Sequence, residues 1–301
     1  KKPQEFSLRF AQPSSMQTAP DFMQELQGLP VNVQLCPPVN AVESALWLAK
    51  QMEEDEIDGV IFQGGVNAAV QWVCTELSHV PVITALCLGL NMYKKLDATI
   101  YMNEANLIRE KGFWKEEWGE QKFICGGADI QEAQNTEALK RAVYGIPENA
   151  IVFGLMTNYI DSRVSKEFLH CVENALKECP DSFFLCMGGG KTEQVQAFMD
   201  KAGFAGRYLI LGQQRSPFAA LKLLDIYFNE FPAGGSQVIR ECLACQVPAM
   251  AMAYSAMHHE SVGANIVGRE QAVMNNAPKE YSEKLISWIN SPEERAAVVE
   301  R

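Results

Sequence analysis

No run of apolar residues in this 301-residue chain approaches the roughly 18–20 needed to cross a bilayer, which argues against a transmembrane segment. Positive charge is also scarce: Lys and Arg number 26 against 37 Asp and Glu, a formal net charge of −11. A field of that sign repels phosphate backbones and argues against nucleic acid as a partner, while leaving room for a local basic pocket that holds one small anion. The first residues, Lys1-Lys2-Pro3-Gln4-Glu5, carry no apolar stretch and do not read as a secretory signal. The chain does not begin with Met and reads as trimmed from something longer. The 9 cysteines form no pairing pattern; Cys87 and Cys186 sit inside apolar runs. Buried free thiols suit a reducing compartment, so a cytoplasmic location is expected. Cys242 and Cys245 have C-x-x-C spacing, but no second Cys or His pair lies nearby to complete a metal site.

What is present fits a globular chain of two domains. Hydrophobic residues make up 48% and charged residues 21%, which excludes disorder and low-complexity architectures. Short apolar strands alternate with helical patterns throughout. The first half offers strands at Phe6–Phe10, Val31–Leu35, Asp58–Phe62, Val80–Ile83, Leu96–Tyr101 and from Phe123, with helices over Pro20–Leu26, Val42–Glu54 and Val66–Leu77. A helix is expected over Gln131–Gly145, followed by a turn. The second half offers strands at Ala150–Leu155, Phe183–Met187, Tyr208–Gly212, Asp225–Asn229 and Val247–Ala251. Its helices are expected over Lys166–Lys177, Thr192–Ala202, Phe218–Leu224 and Gln237–Cys245, with a terminal pair over Tyr281–Val299. Strand–helix–strand spacing of this kind gives parallel βαβ units. The expected fold is α/β: two Rossmann-like doubly wound domains facing a cleft. The first covers residues 1–130 and the second 131–280, while helices over 281–301 are expected to pack back across the cleft.

The segment Phe231-Pro232-Ala233-Gly234-Gly235-Ser236-Gln237-Val238-Ile239-Arg240-Glu241 is the most informative. A strand ends, two glycines allow close backbone approach, and a helix begins with Ser236 near its cap. Free N–H groups and the positive helix end then point at one spot, which suits a phosphate or diphosphate. Glu241 lies about one and a half turns further on, where it can reach a ribose hydroxyl. A tight turn with a capped helix explains the same residues equally well.

Residues 123–300 resemble the nucleotide-sugar-binding half of GT-B glycosyltransferases, most closely the retaining family-4 type. The resemblance rests on an ordered series: Phe123–Asp129, Arg141–Pro147, Ile151–Leu155 followed by Arg163 and Lys166, Phe183–Gly190, Leu209–Gln213, Leu224–Phe228, and Gly234–Glu241 running on to Gln246-Val247-Pro248. It implies a transferase that moves a sugar, with retention, from a nucleotide-diphosphate sugar to a glycan, protein or lipid-linked acceptor bound by the first half. It implies no cofactor and no metal. Gly234, Gly235, Ser236 and Gln237 would donate to the diphosphate, with Gly189 in a neighbouring glycine loop. Glu241 would bind the ribose, and Gln213 would flank the base. Arg163 and Lys166 would neutralise the leaving diphosphate, because charge on a leaving group must be stabilised in the transition state; a solvated helix start explains both cations as well. The family often has two glutamates separated by seven residues. Ala233 stands where the first would be, and Glu230 lies three residues earlier. The His often found after the strand at Val82–Thr84 is also missing.

Other singular residues have plainer explanations. His79 fits a loop and His170 a helix surface. His258-His259-Glu260 follows a strand end that would face the cleft. Met250, Met252 and Met257 fit packing, and Trp114 and Trp118 fit a structural role or a sugar platform. Two other functions compete with the transferase: a two-lobed sugar-binding protein of periplasmic type, and an inactive GT-B scaffold.

Overall fold

The computed structural model describes residues 8–12, 31–37, 39–63, 72–73, 76, 80–86, 98–101, 123–125, 127–232, 234–253, 262–268 and 271–299. The chain divides into two compact units, Lys1–Gly126 and Gly127–Arg301.

Unit 1 holds a parallel pair, β1 (Leu8–Gln12) and β2 (Val31–Leu35). It also holds a parallel four-stranded sheet in the order β3 (Val60–Gln63), β4 (Val82–Leu86), β5 (Ala98–Tyr101), β6 (Phe123–Cys125). Helix α1 (Ala41–Glu54) begins with a capping box. The Asn40 side chain accepts from the Val42 and Glu43 N–H groups at 3.0 Å, and Glu43 accepts from the Asn40 N–H at 3.3 Å. Its inner face buries Ala45 and Leu48. The helix expected over Pro20–Leu26, nearly all of that over Val66–Leu77, His79, Trp114, Trp118, Met257 and His258-His259-Glu260 lie outside the described residues.

Unit 2 is a doubly wound sheet. Its parallel strands β7 (Ile151–Met156), β8 (Ser182–Met187), β9 (Tyr208–Gly212), β10 (Ile226–Phe228) and β11 (Ala249–Met250) lie in the order β11-β10-β7-β8-β9. The apolar runs have no polar alternation because both faces are covered. In β7, Phe153 and Leu155 pack into one core while Val152 and Met156 pack into the other; in β8, Phe184 and Cys186 oppose Phe183, Leu185 and Met187. The first core takes Phe168, Leu169, Val172 and Leu176 from α4 (Lys166–Glu178), which follows the short α3 (Ile160–Arg163). It also takes Tyr281, Leu285, Trp288 and Ile289 from α9 (Pro278–Asn290). Helix α9 therefore packs on α4 within unit 2, and α10 (Pro292–Val299) follows it.

The helix expected over Gln131–Gly145 is two pieces. Helix α2 (Ile130–Asn135) is capped by Asp129, whose side chain accepts from the Glu132 N–H at 2.8 Å, and it stops at an extended Thr136. The Leu139 N–H then donates to Ala219 O at 3.1 Å, which draws the strand-like linker away from helical geometry before a 3₁₀ turn at Arg141–Tyr144. The strand expected at Val247–Ala251 shrinks to two residues. Helix α8 (Val262–Val267) and the parallel bridge between Met252 and Val273 were not expected. The other helices of unit 2 are α5 (Glu193–Lys201), α6 (Pro217–Leu221) and α7 (Gln237–Ala244).

Candidate functional site

The strand order reverses between β7 and β10, and in open α/β sheets a ligand binds beyond the carboxyl ends of the strands at such a point. Two loops meet there: Thr157–Tyr159 leading into α3, and residues 229–232 and 234–236 leading into α7.

The first loop is braced by the glycine turn after β8. The Gly189 N–H donates to Thr157 O at 3.1 Å, the Ile160 N–H to Gly189 O at 3.2 Å, and the Gly188 N–H to Gly212 O at 2.7 Å. Gly188 has φ 118°, and a Cβ there would stand 1.9 Å from Thr157 O, so backbone meets backbone at a position that only glycine fills. Arg163, at the end of α3, lies with its guanidinium 5.0 Å from the centre of the Tyr159 ring.

The second loop folds back on its own strand. A Cβ at Gly234 would stand 2.2 Å from Asn229 Nδ2 and 2.4 Å from Glu230 O. The Tyr281 hydroxyl holds the strand end by donating to Asn229 O at 2.9 Å. Ser236 stands at the N-cap of α7, but its backbone is helical (φ −106°, ψ −40°) and its hydroxyl makes no capping bond. The expected Ser cap is therefore absent, and the first N–H groups of α7 lack a side-chain acceptor from that position.

Arg163 joins the two loops. Its Nη1 lies 3.5 Å from Glu230 Oε1, and a Cβ on Gly235 would be 3.7 Å from that Nη1 and 3.8 Å from that Oε1. A cation, a buried carboxylate and open glycine backbone thus converge at the carboxyl ends of β7 and β10. The Glu230 side chain is 0% exposed, and burial pushes its carboxyl up; its own N–H, Arg163 and Thr157 pull the other way. The Tyr227 hydroxyl lies 3.5 Å from Glu230 Oε2. In the sequence Glu230 stands three residues before the position that the resemblance gives to a glutamate, so no role is expected of it there. Its signal was an acid at the end of an apolar strand, Ile226-Tyr227-Phe228-Asn229-Glu230-Phe231.

Glu241 is half-buried in α7, accepts from Gln237 Nε2 at 3.2 Å, and has its carboxyl raised by burial. Gln237 Oε1 is buried with no hydrogen-bond partner among the described residues. Lys166, at the first position of α4, is exposed and makes no ion pair among the described residues. Gln213 is exposed just past β9, while its neighbour Gln214 donates to Leu211 O at 2.9 Å. Cys242 is buried and Cys245 half-buried on α7, and burial raises both thiols. Among the described residues no helix is long and apolar enough to cross a membrane, and no three His, Cys, Asp or Glu side chains gather in a way that could hold a metal ion.

No protein-family model and no curated protein matches the chain. Solved structures do. A glycosyltransferase from Rickettsia africae matches with a TM-score of 0.73 at 12% identity, over 99% of this chain and 84% of that one. Anabaena HepE in complex with UDP-glucose matches with a TM-score of 0.69 at 16% identity, over 94% and 83%. WaaG, a glycosyltransferase involved in lipopolysaccharide biosynthesis, matches with a TM-score of 0.68 at 12% identity, over 97% and 93%. At such identities the likeness establishes the fold, an α/β chain of parallel sheets of the GT-B type.

Proposed function

We propose that this protein is a retaining glycosyltransferase of the family-4 kind, taking a hexose from a nucleotide-diphosphate sugar. The observation that carries the proposal is the convergence of Arg163, open Gly235 backbone and the N-terminus of α7 at the strand-order reversal. The diphosphate lies against the backbone of Gly234, Gly235, Ser236 and Gln237, with Gly189 at the neighbouring turn. Arg163 supplies the fixed cation that steadies charge on the leaving diphosphate, with Lys166 as a second candidate. Glu241 accepts from the ribose, and Gln213 flanks the base. The UDP-glucose complex of HepE, a chain of the same fold, supports a donor of this class. The acceptor, a glycan, protein or lipid-linked saccharide, falls to residues 1–126. The reading calls for no cofactor beyond the donor, and the free thiols fit the cytoplasm.

The test is calorimetric titration with UDP, GDP and ADP, with free glucose as control. One nucleoside diphosphate should bind with micromolar affinity. Arg163→Ala should weaken that binding by about 10- to 100-fold, the usual loss for a charge-assisted hydrogen bond. Glu241→Ala should remove it from the measurable range. Binding of glucose without any nucleotide would overturn the proposal in favour of a sugar receptor.

A further inference from the structure

Arg163 has a competing partner built into the site. Its guanidinium rests on the exposed Tyr159 ring and reaches Glu230 Oε1 at 3.5 Å, while Gly235 opens toward both groups. Glu230 sits behind it with a side chain that is 0% exposed. The described groups that face Glu230 are Arg163 at the end of α3, Tyr227 on its own strand, Cys186 from β8 and Tyr281 from α9. Burial raises the last three, Cys186 to about 12, so all are neutral at pH 7. Thr157 and Asn229 add neutral dipoles only. Arg163 is the cation paired with this carboxylate, and it is also the cation a diphosphate would need.

We propose that Glu230 and a bound diphosphate compete for Arg163, so that ligand binding draws the guanidinium away and Glu230 takes up one proton from solvent. The inference rests on the diphosphate site proposed above. A buried carboxylate that loses its cation and gains negative charge nearby has two reasons to become neutral. No covalent bond changes; the proton comes from the buffer and sits on the Glu230 carboxyl. Linkage then fixes the sign: a complex that holds more protons than its parts weakens as pH rises. Glu230 is a positioning residue in this scheme. It keeps Arg163 at the site without ligand and releases it to the phosphate.

Calorimetry of UDP binding to the full chain, at one pH in PIPES and in Tris, measures proton uptake from the two ionisation enthalpies. The phosphate's own protons contribute equally in wild type and Glu230→Gln, so their difference isolates Glu230. Wild type should take up about one proton more per UDP than Glu230→Gln near neutral pH. Glu230→Gln should bind UDP about tenfold more tightly at pH 8, because the amide never competes as a charge. A residue that only packs would give equal uptake and weaker binding in the variant, and either result overturns the inference. Should Glu230→Gln fail to fold, Arg163→Gln gives the same reading: its carboxyl has no guanidinium to lose, so the extra uptake should vanish, and its persistence overturns the scheme. Binding without extra uptake sinks this inference alone, whereas no binding of any nucleoside diphosphate sinks the function beneath it as well.

Discussion

Gly188 shows how much one missing methyl group decides at this site. Its φ of 118° is one that side chains rarely adopt, and the place of a Cβ is taken by the Thr157 carbonyl, 1.9 Å away. Gly188→Ala must therefore strain the backbone and push two loops apart. We expect a loss of about 3 kcal/mol in urea unfolding, with UDP affinity falling too because the Thr157–Arg163 loop leans on this turn. Glu230 acts at the same scale through pH. Its carboxyl is raised in the folded protein, so the folded state binds more protons than the unfolded one above the ordinary Glu range. Its share of stability is thus highest in acid and falls as pH rises from about 4.5 toward the folded value. Glu230→Gln should flatten that part of the stability–pH curve, and a set of thermal melts across pH 4–8 would show it; an unchanged curve would mean that the carboxyl does not titrate there.

Arg207 does for whole elements what Gly188 does for one turn. It donates to Leu176 O and Cys179 O at 2.7 Å and to Ser182 O at 3.0 Å, and so ties the carboxyl end of α4 to the start of β8. Arg207→Ala takes a donor from all three carbonyls, although Cys179 O keeps the Ser182 N–H at 3.0 Å and the Ser182 hydroxyl at 2.7 Å, and should cost about 2–4 kcal/mol. Arg207→Lys should recover less than half, because one ammonium cannot reproduce the planar fork; chemical denaturation of both variants checks this. Nothing in the sequence marked Arg207, since its partners are backbone atoms from two other elements. The strands of unit 2 were legible for the opposite reason. Ile151–Met156 and Ser182–Met187 are buried on both faces, and burial writes itself as an unbroken apolar run. Helix α4 was legible from its apolar stripe; its cap, the Ser165 hydroxyl accepting from the Phe168 N–H at 3.1 Å, is a finding of the structure. The helix expected over Gln131–Gly145 failed where a distant carbonyl, Ala219 O, claimed the Leu139 N–H. The Ser236 cap failed because a sequence names a serine but not its ψ. In the candidate site, the glycines and the helix start were readable as a motif. The pairing of Arg163 with Glu230 was not, because 67 positions separate residues that only the sheet order brings together.

At the scale of the molecule, both halves of the proposed chemistry belong to different compact units. Arg163, Gly189, Gln213 and Gly234–Glu241 all lie in residues 127–301, and so does Glu230. That unit covers both faces of its own five-stranded sheet: one core is closed by α4 and α9, the other by residues of α6 and α7. A domain of this size buries roughly 70% of the surface its unfolded chain exposes, enough for independent folding. Residues 127–301 expressed alone should therefore unfold cooperatively in urea. They should bind UDP within about threefold of the full chain's affinity, since the proposed donor contacts are retained and a factor of three is under 1 kcal/mol. Sugar transfer should be lost in the isolated unit, because the acceptor side has been assigned to residues 1–126. A fragment that folds but binds no nucleotide, when the full chain does, would show that the first unit supplies donor contacts, and would move part of the site out of the residues named here.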